Sequence, residues 1–137
     1  MKNALRLFAF FSAIILSSCS LFEEEDLISS DYFKANGKLK VWKLKTYDLN
    51  GESLLTECIN DDTFTFNQET GEYIWAKNKI KCFEGEKDDY FTYAWSEDKK
   101  ALLINGNNFQ IIELNHSNFI LKMENSGHIF DLWFVPA

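Results

Sequence analysis

Arginine is nearly missing from this sequence: of 14 basic residues in 137, only Arg6 is an arginine. Without guanidinium groups in the body of the chain, planar bidentate recognition of phosphate is not available. A formal net charge of −7 repels nucleic acid as well, so nucleic acid is excluded as a partner. The single proline, Pro136, stands near the C-terminus, where it interrupts no strand. His116 and His128 are the only histidines, and there are three cysteines. No apolar run can span a bilayer: "LFAFFSAIIL" over residues 7–16 is about half of the roughly 20 residues that spanning takes. No serine sits in a nucleophile-elbow pattern or another catalytic frame, and there is no glycine-rich phosphate cradle. The sequence is not expected to encode an enzyme, and it carries no cofactor motif.

The N-terminus has what the rest lacks. Lys2 and Arg6, the apolar run and the small residues around Cys19 are the charged, greasy and small-residue regions of a secretory signal, in order. Leu16-Ser17-Ser18-Cys19 resembles the bacterial lipobox. That resemblance implies cleavage before Cys19, a diacylglycerol on its thiol and a further acyl chain on the new amino group. Each buried methylene contributes about 0.8 kcal/mol, so three chains would hold a protein on a membrane where one anchors only marginally. The reading is a leader over residues 1–18, an acylated and acidic linker over 19–36, and one domain over 37–137. Its expected place is the bacterial cell envelope, on the periplasmic or surface face of the outer membrane. Glu23, Glu24, Glu25 and Asp26 follow the anchor. They suit a solvated spacer, and they also resemble the acidic tags that send some Gram-negative lipoproteins to the cell surface.

From Leu39 onward, short aromatic and β-branched runs alternate with turn residues. The runs "LKVWKLKTY", "DTFTFN", "EYIWAKNKI", "YFTYAW", "ALLIN", "NFQIIEL", "NFILKME" and "HIFDLWF" are separated by clusters such as "DLNG", "NQETG", "NGN" and "NSG". Asparagine and glycine supply the positive backbone angles of tight hairpins. Phe64 and Phe66 share one face with Thr63 and Thr65 opposite, and Phe130, Leu132 and Phe134 share one with Asp131 opposite. Period two with one polar face marks half-buried antiparallel strands. The only helical hint is a short turn near residues 27–33. Short connections favour an all-β, up-and-down antiparallel barrel; a β-sandwich is the alternative.

With Cys19 lipidated, Cys58 and Cys82 remain as an even pair in an exported domain, which predicts a disulfide. A zinc site would need two further ligands, and nothing places the two histidines beside both cysteines. Asp61 and Asp62 are adjacent, so on a strand they point to opposite faces and cannot flank one bond. Asp88 and Asp89 lack the spacing of a calcium loop. Lys77, Lys79 and Lys81 alternate and are expected to face solvent or guard an edge.

The succession "VWKL", "CINDDTFTF", a glycine-bearing turn, "EYIW", a second cysteine, a tryptophan-ended strand and "FQIIELNHSNFILKM" resembles the lipocalin-like domain of many small Gram-negative lipoproteins. The resemblance covers residues 37–135. It implies a compact barrel related to the lipocalins, most members having no assigned ligand. Two lipocalin features are missing: Gly37 and Trp42 are too far apart for the usual glycine-x-tryptophan motif, and no arginine is left to close the barrel onto that tryptophan. Trp42, Tyr73, Trp75, Tyr93 and Trp95 are the candidate ligand-binding residues, since rings with one polar handle suit an apolar pocket. Eight strands leave an interior that side chains can just fill or that holds one small ligand. Two functions stay open: a binding module for a small apolar ligand, or a structural lipoprotein with a filled barrel and a protein partner yet to be identified.

Overall fold

The computed structural model describes residues 30–137. The leader, Cys19 and the acidic run that follows it lie outside the described residues. A 3-10 helix (Ser30–Phe33) comes first and a small hairpin follows, β1 (Lys34–Ala35) and β2 (Lys38–Leu39). The main strands are β3 (Val41–Leu49), with its short companion β4 (Glu52–Ser53), then β5 (Thr63–Asn67), β6 (Glu72–Ala76), β7 (Asp89–Trp95), β8 (Ala101–Ile104), β9 (Asn107–Leu114), β10 (Phe119–Asn125) and β11 (His128–Pro136). One short helix, α1 (Glu57–Asp61), lies between β4 and β5.

From β5 to β11 each strand pairs antiparallel with the next, β3 pairs with β5, and β11 returns to β3 over the whole register from Phe130↔Leu49 to Pro136↔Trp42. The sheet therefore closes into an eight-stranded antiparallel barrel, and the sandwich alternative falls because the last strand bonds to the first. Closure leaves the barrel strands without a free edge. The hairpins are the tight turns that the asparagine–glycine pairs predict. At Asn105 and Gly106, φ is 49° and 78°, the two positive angles that such a two-residue loop requires.

Two bulges set which residues face inward. In β3, Phe134 pairs with Leu44 but Trp133 pairs with Thr46, so Lys45 is an extra residue. Past that bulge the alternation shifts by one, and Tyr47 turns inward opposite Leu132. In β9, Ile112 is the extra residue and is half exposed.

One end of the barrel is sealed by Phe33, which is 1% exposed. Its ring packs against Trp42, Phe66, Trp95 and Phe119, with centroids 5.2–6.5 Å apart. Those partners open β3, close β5, close β7 and open β10, so they mark the same end. The folded unit thus reaches back at least to Phe33, inside the stretch read from sequence as a linker ending at residue 36. At Gly71, between β5 and β6, the turn presses on β7: the Tyr93 amide donates to the Gly71 carbonyl at 2.7 Å, and a β-carbon would meet the Tyr93 carbonyl oxygen at 3.0 Å.

Candidate functional site

Between the Phe33 plug and the opposite end lies a cavity of about 230 Å³. Its wall is built by the inward positions of seven strands. Leu44 and Tyr47 come from β3, Phe64 and Phe66 from β5, Tyr73 and Trp75 from β6, Ile104 from β8, and Phe109 from β9. Leu121 and Met123 of β10 and Phe130, Leu132 and Phe134 of β11 complete it. The wall carries no formal charge. Its residues with polar side-chain groups are Tyr47, Tyr73 and Trp75. Neither phenol has a hydrogen-bond partner among the described residues, so both can address a guest. The Tyr73 ring is held between Phe66 and Phe91, with centroids at 5.4 and 4.7 Å. Burial, then the nearby Asp89 charge, pushes its phenol far above the usual tyrosine range, so it stays protonated and able to donate.

At the end away from Phe33 the inward ladder changes from apolar to ionic. Asp62 stands two residues before Phe64, Lys77 two after Trp75, and Asp89 is the register partner of Trp75. Period two carries all three inward, Asp62 and Lys77 one layer beyond the wall residues Phe64 and Trp75, and Asp89 level with Trp75 at the rim. Asp62 is 1% exposed; it accepts from Trp75 Nε1 at 2.6 Å and from the Asn78 amide at 3.3 Å. The Lys77 ammonium lies 3.3 Å from the centre of the Trp75 ring and 3.4, 3.3 and 3.7 Å from Asp62, Glu86 and Asp89. Glu86 also accepts from the Cys82 amide at 2.8 Å. That bond, with the lysines behind it, holds its carboxyl below the usual glutamate range.

The chain between β6 and β7 crosses this end and is tied down twice. Cys58 of α1 is disulfide-bonded to Cys82 with α-carbons 5.3 Å apart. Asp61 accepts from the Ile80 amide at 2.9 Å, and its carbonyl accepts from the Asn78 side chain at 2.5 Å. The aspartate pair is therefore a fastener for the loop, each carboxylate turned to a different backbone. Among the described residues no three His, Cys, Asp or Glu side chains are grouped to hold a metal ion.

Of the five aromatics singled out in the sequence, the structure brings Tyr73 and Trp75 to the cavity. Trp42, Tyr93 and Trp95 belong instead to the packed end around Phe33. Lys77 is not a solvent-facing residue, since its side chain is 4% exposed; β6 ends at Ala76, and only Lys79 and Lys81 are exposed as expected. Tyr47, Phe130 and Met123 were not foreseen as cavity wall. For Phe130 the signal was its alternation with Leu132 and Phe134; for Tyr47 the bulge hid it.

No curated protein matches the chain in sequence. The family model described as a lipocalin-like domain matches residues 39–121, from the end of β2 to the middle of β10. The closed eight-stranded barrel and that match agree, and the chain belongs to the lipocalin-like domain family.

Proposed function

We propose that this is a lipid-anchored envelope protein whose barrel takes up one small apolar molecule. The observation that carries the reading is the cavity. On the mutational scale of about 24 cal/mol per Å³, a closed and dry void of 230 Å³ would cost about 5.5 kcal/mol, an upper bound for this cavity, which is partly open to solvent. That is comparable to the whole stability of many domains, 5–15 kcal/mol. The opposite end of the same barrel is filled by Phe33, Trp42, Phe119 and Leu102, so this sequence has the means to fill an interior. A void kept beside a filled half supports a guest. Its size lies between a cavity of about 150 Å³ that takes benzene and the roughly 300–1,000 Å³ of drug-sized sites.

The anchor is proposed on the sequence alone: Leu16-Ser17-Ser18-Cys19 behind a charged and apolar leader supports acylation of Cys19 and residence in the cell envelope, on the periplasmic or surface face of the outer membrane. No catalytic role is proposed, because the cavity wall has no nucleophile paired with a base. A second reading, a scaffold for a protein partner, is favoured by one feature: Phe83 and Tyr90 are 64% and 70% exposed near the stapled end.

Native mass spectrometry of protein exposed to an envelope extract separates the two. Uptake of a small molecule, abolished by Leu132→Trp, supports the carrier. An unliganded mass across extracts, with the same melting temperature in both proteins, supports the scaffold.

A further inference from the structure

The rim of the cavity carries a charge imbalance that the wall does not. Three carboxylates, Asp62, Glu86 and Asp89, converge on the single ammonium of Lys77. Lys81 acts on Glu86, and its own ammonium is bonded to the Lys77 carbonyl at 2.6 Å. Asp62 is saturated by Trp75, Asn78 and Lys77. Asp89 is not: among the described residues its ionic partner is Lys77 alone, at 3.7 Å, the longest of the three contacts, and its side chain is half exposed. Asp89 pairs in register with Trp75, and the next inward pair down the strands is Tyr73 with Phe91; Trp75 and Tyr73 line the cavity, so this carboxylate stands at the rim, beside the wall without being part of it. Its charge is already felt inside, at the Tyr73 phenol.

We propose that the barrel is selective by charge: it takes small ring-containing molecules whose polar end is cationic or neutral, and it turns away carboxylates, Asp89 being the residue that decides. The inference rests on the carrier reading above and adds the chemical class of the guest. An apolar body occupies the space between Phe64, Tyr73 and Leu132. Its polar end meets the free Tyr47 and Tyr73 phenols, which both accept and donate. An ammonium there gains the attraction of Asp89 and lies against aromatic faces that favour cations. A carboxylate meets the same field with the opposite sign, at a site with no free cation among its wall residues.

The test is isothermal calorimetry of the purified protein in detergent-free buffer at neutral pH, with three probes that share a naphthalene body: 1-naphthylmethylamine, 1-naphthylmethanol and 1-naphthoate. The expected result is binding of the ammonium and the alcohol, with the ammonium at least about tenfold tighter than the carboxylate. One unit charge at roughly 10 Å in an effective dielectric near 20 is already worth somewhat more than tenfold, and the ammonium and the carboxylate feel it with opposite signs, so about tenfold is the minimum expected. Asp89→Asn should bring the ammonium and carboxylate affinities together. In the unaltered protein the same ratio should shrink as salt is raised, which keeps the test independent of how the variant folds. Equal ammonium and carboxylate affinities, or a tighter carboxylate, overturn the selectivity while the carrier reading stands on the alcohol. Failure of all three probes to bind overturns the carrier reading, and the selectivity falls with it.

Discussion

The indole nitrogen of Trp75 donates to a carboxylate oxygen of Asp62 at 2.6 Å, so one partly buried hydrogen bond fastens the wall of the cavity to the stapled end. Lys77 lies on the face of the same indole and reaches the same carboxylate. Removing one member of such a group leaves the others buried without partners, which is costlier than removing two together.

Asp62→Ala is expected to destabilise the fold by about 3 kcal/mol, since it strands both the indole N–H and part of the Lys77 charge. Lys77→Met should cost about as much, because Asp62 keeps the hydrogen bonds from Trp75 and the Asn78 amide but loses the cation that offsets its buried charge. The double variant should lose less than the sum of the two. Urea unfolding in a double-mutant cycle reads the coupling directly.

The Cys58–Cys82 bond closes a loop with a sequence separation of 24. Replacing both cysteines by serine is expected to lower stability by about 3 kcal/mol on the loop-entropy model. In the unaltered protein, thiol titration after unfolding without reductant should detect no thiol from either residue.

Phe33→Ala removes the plug of the packed end and should cost about 3–5 kcal/mol, the range for a buried phenylalanine. Gly71→Ala should cost about 1–3 kcal/mol, because φ there is +69° and the added carbon crowds the Tyr93 carbonyl. Thermal melting of both variants checks the pair.

Stability should fall in acid and in strong alkali. Glu86, Glu69 and Asp98 are all held below their usual ranges: Glu86 first by the Cys82 amide, Glu69 by Lys34, and Asp98 first by the Ser96 hydroxyl. Carboxyls depressed in the folded state stabilise it above their unfolded values, near pH 4, and that contribution is lost as pH falls through the folded values. Tyr73 and Tyr93 are pushed up by burial. Their contribution is complete below the usual tyrosine value, about 10, and declines as pH rises beyond it. Melting temperature against pH should therefore be flat across neutrality and drop at both ends, and Glu86→Gln should soften the acid drop.

Much of the barrel was legible because period two with hairpin turns leaves few alternatives. Each of the eight runs read from the sequence became a strand. What escaped were the places where a local rule gives way to the sheet. "EYIWAKNKI" reads as one long strand, yet β6 stops at Ala76 because the chain turns to meet Asp61, whose carboxylate caps the Ile80 amide. The helix α1 was hidden within "TECIND", although Thr56 and Glu57 are an N-cap and an acidic first turn. Lys77 and Asp62 continue the inward alternation of their strands, but a charged residue in that position reads as solvent-facing until its partner is known. The Lys45 bulge that turns Tyr47 inward leaves no mark in the alternation. The candidate site was legible at Tyr73 and Trp75 and illegible where register decided.

The most direct test of the central claim is a titration of methyl-labelled protein with 1-naphthylmethanol, followed by nuclear magnetic resonance. The account predicts shifts at Leu44, Leu121, Met123 and Leu132, which line the cavity, with Leu102 of the packed end unmoved. Methyl signals that stay in place at saturating probe, or that move only at exposed Ile80 beside Phe83, would contradict it.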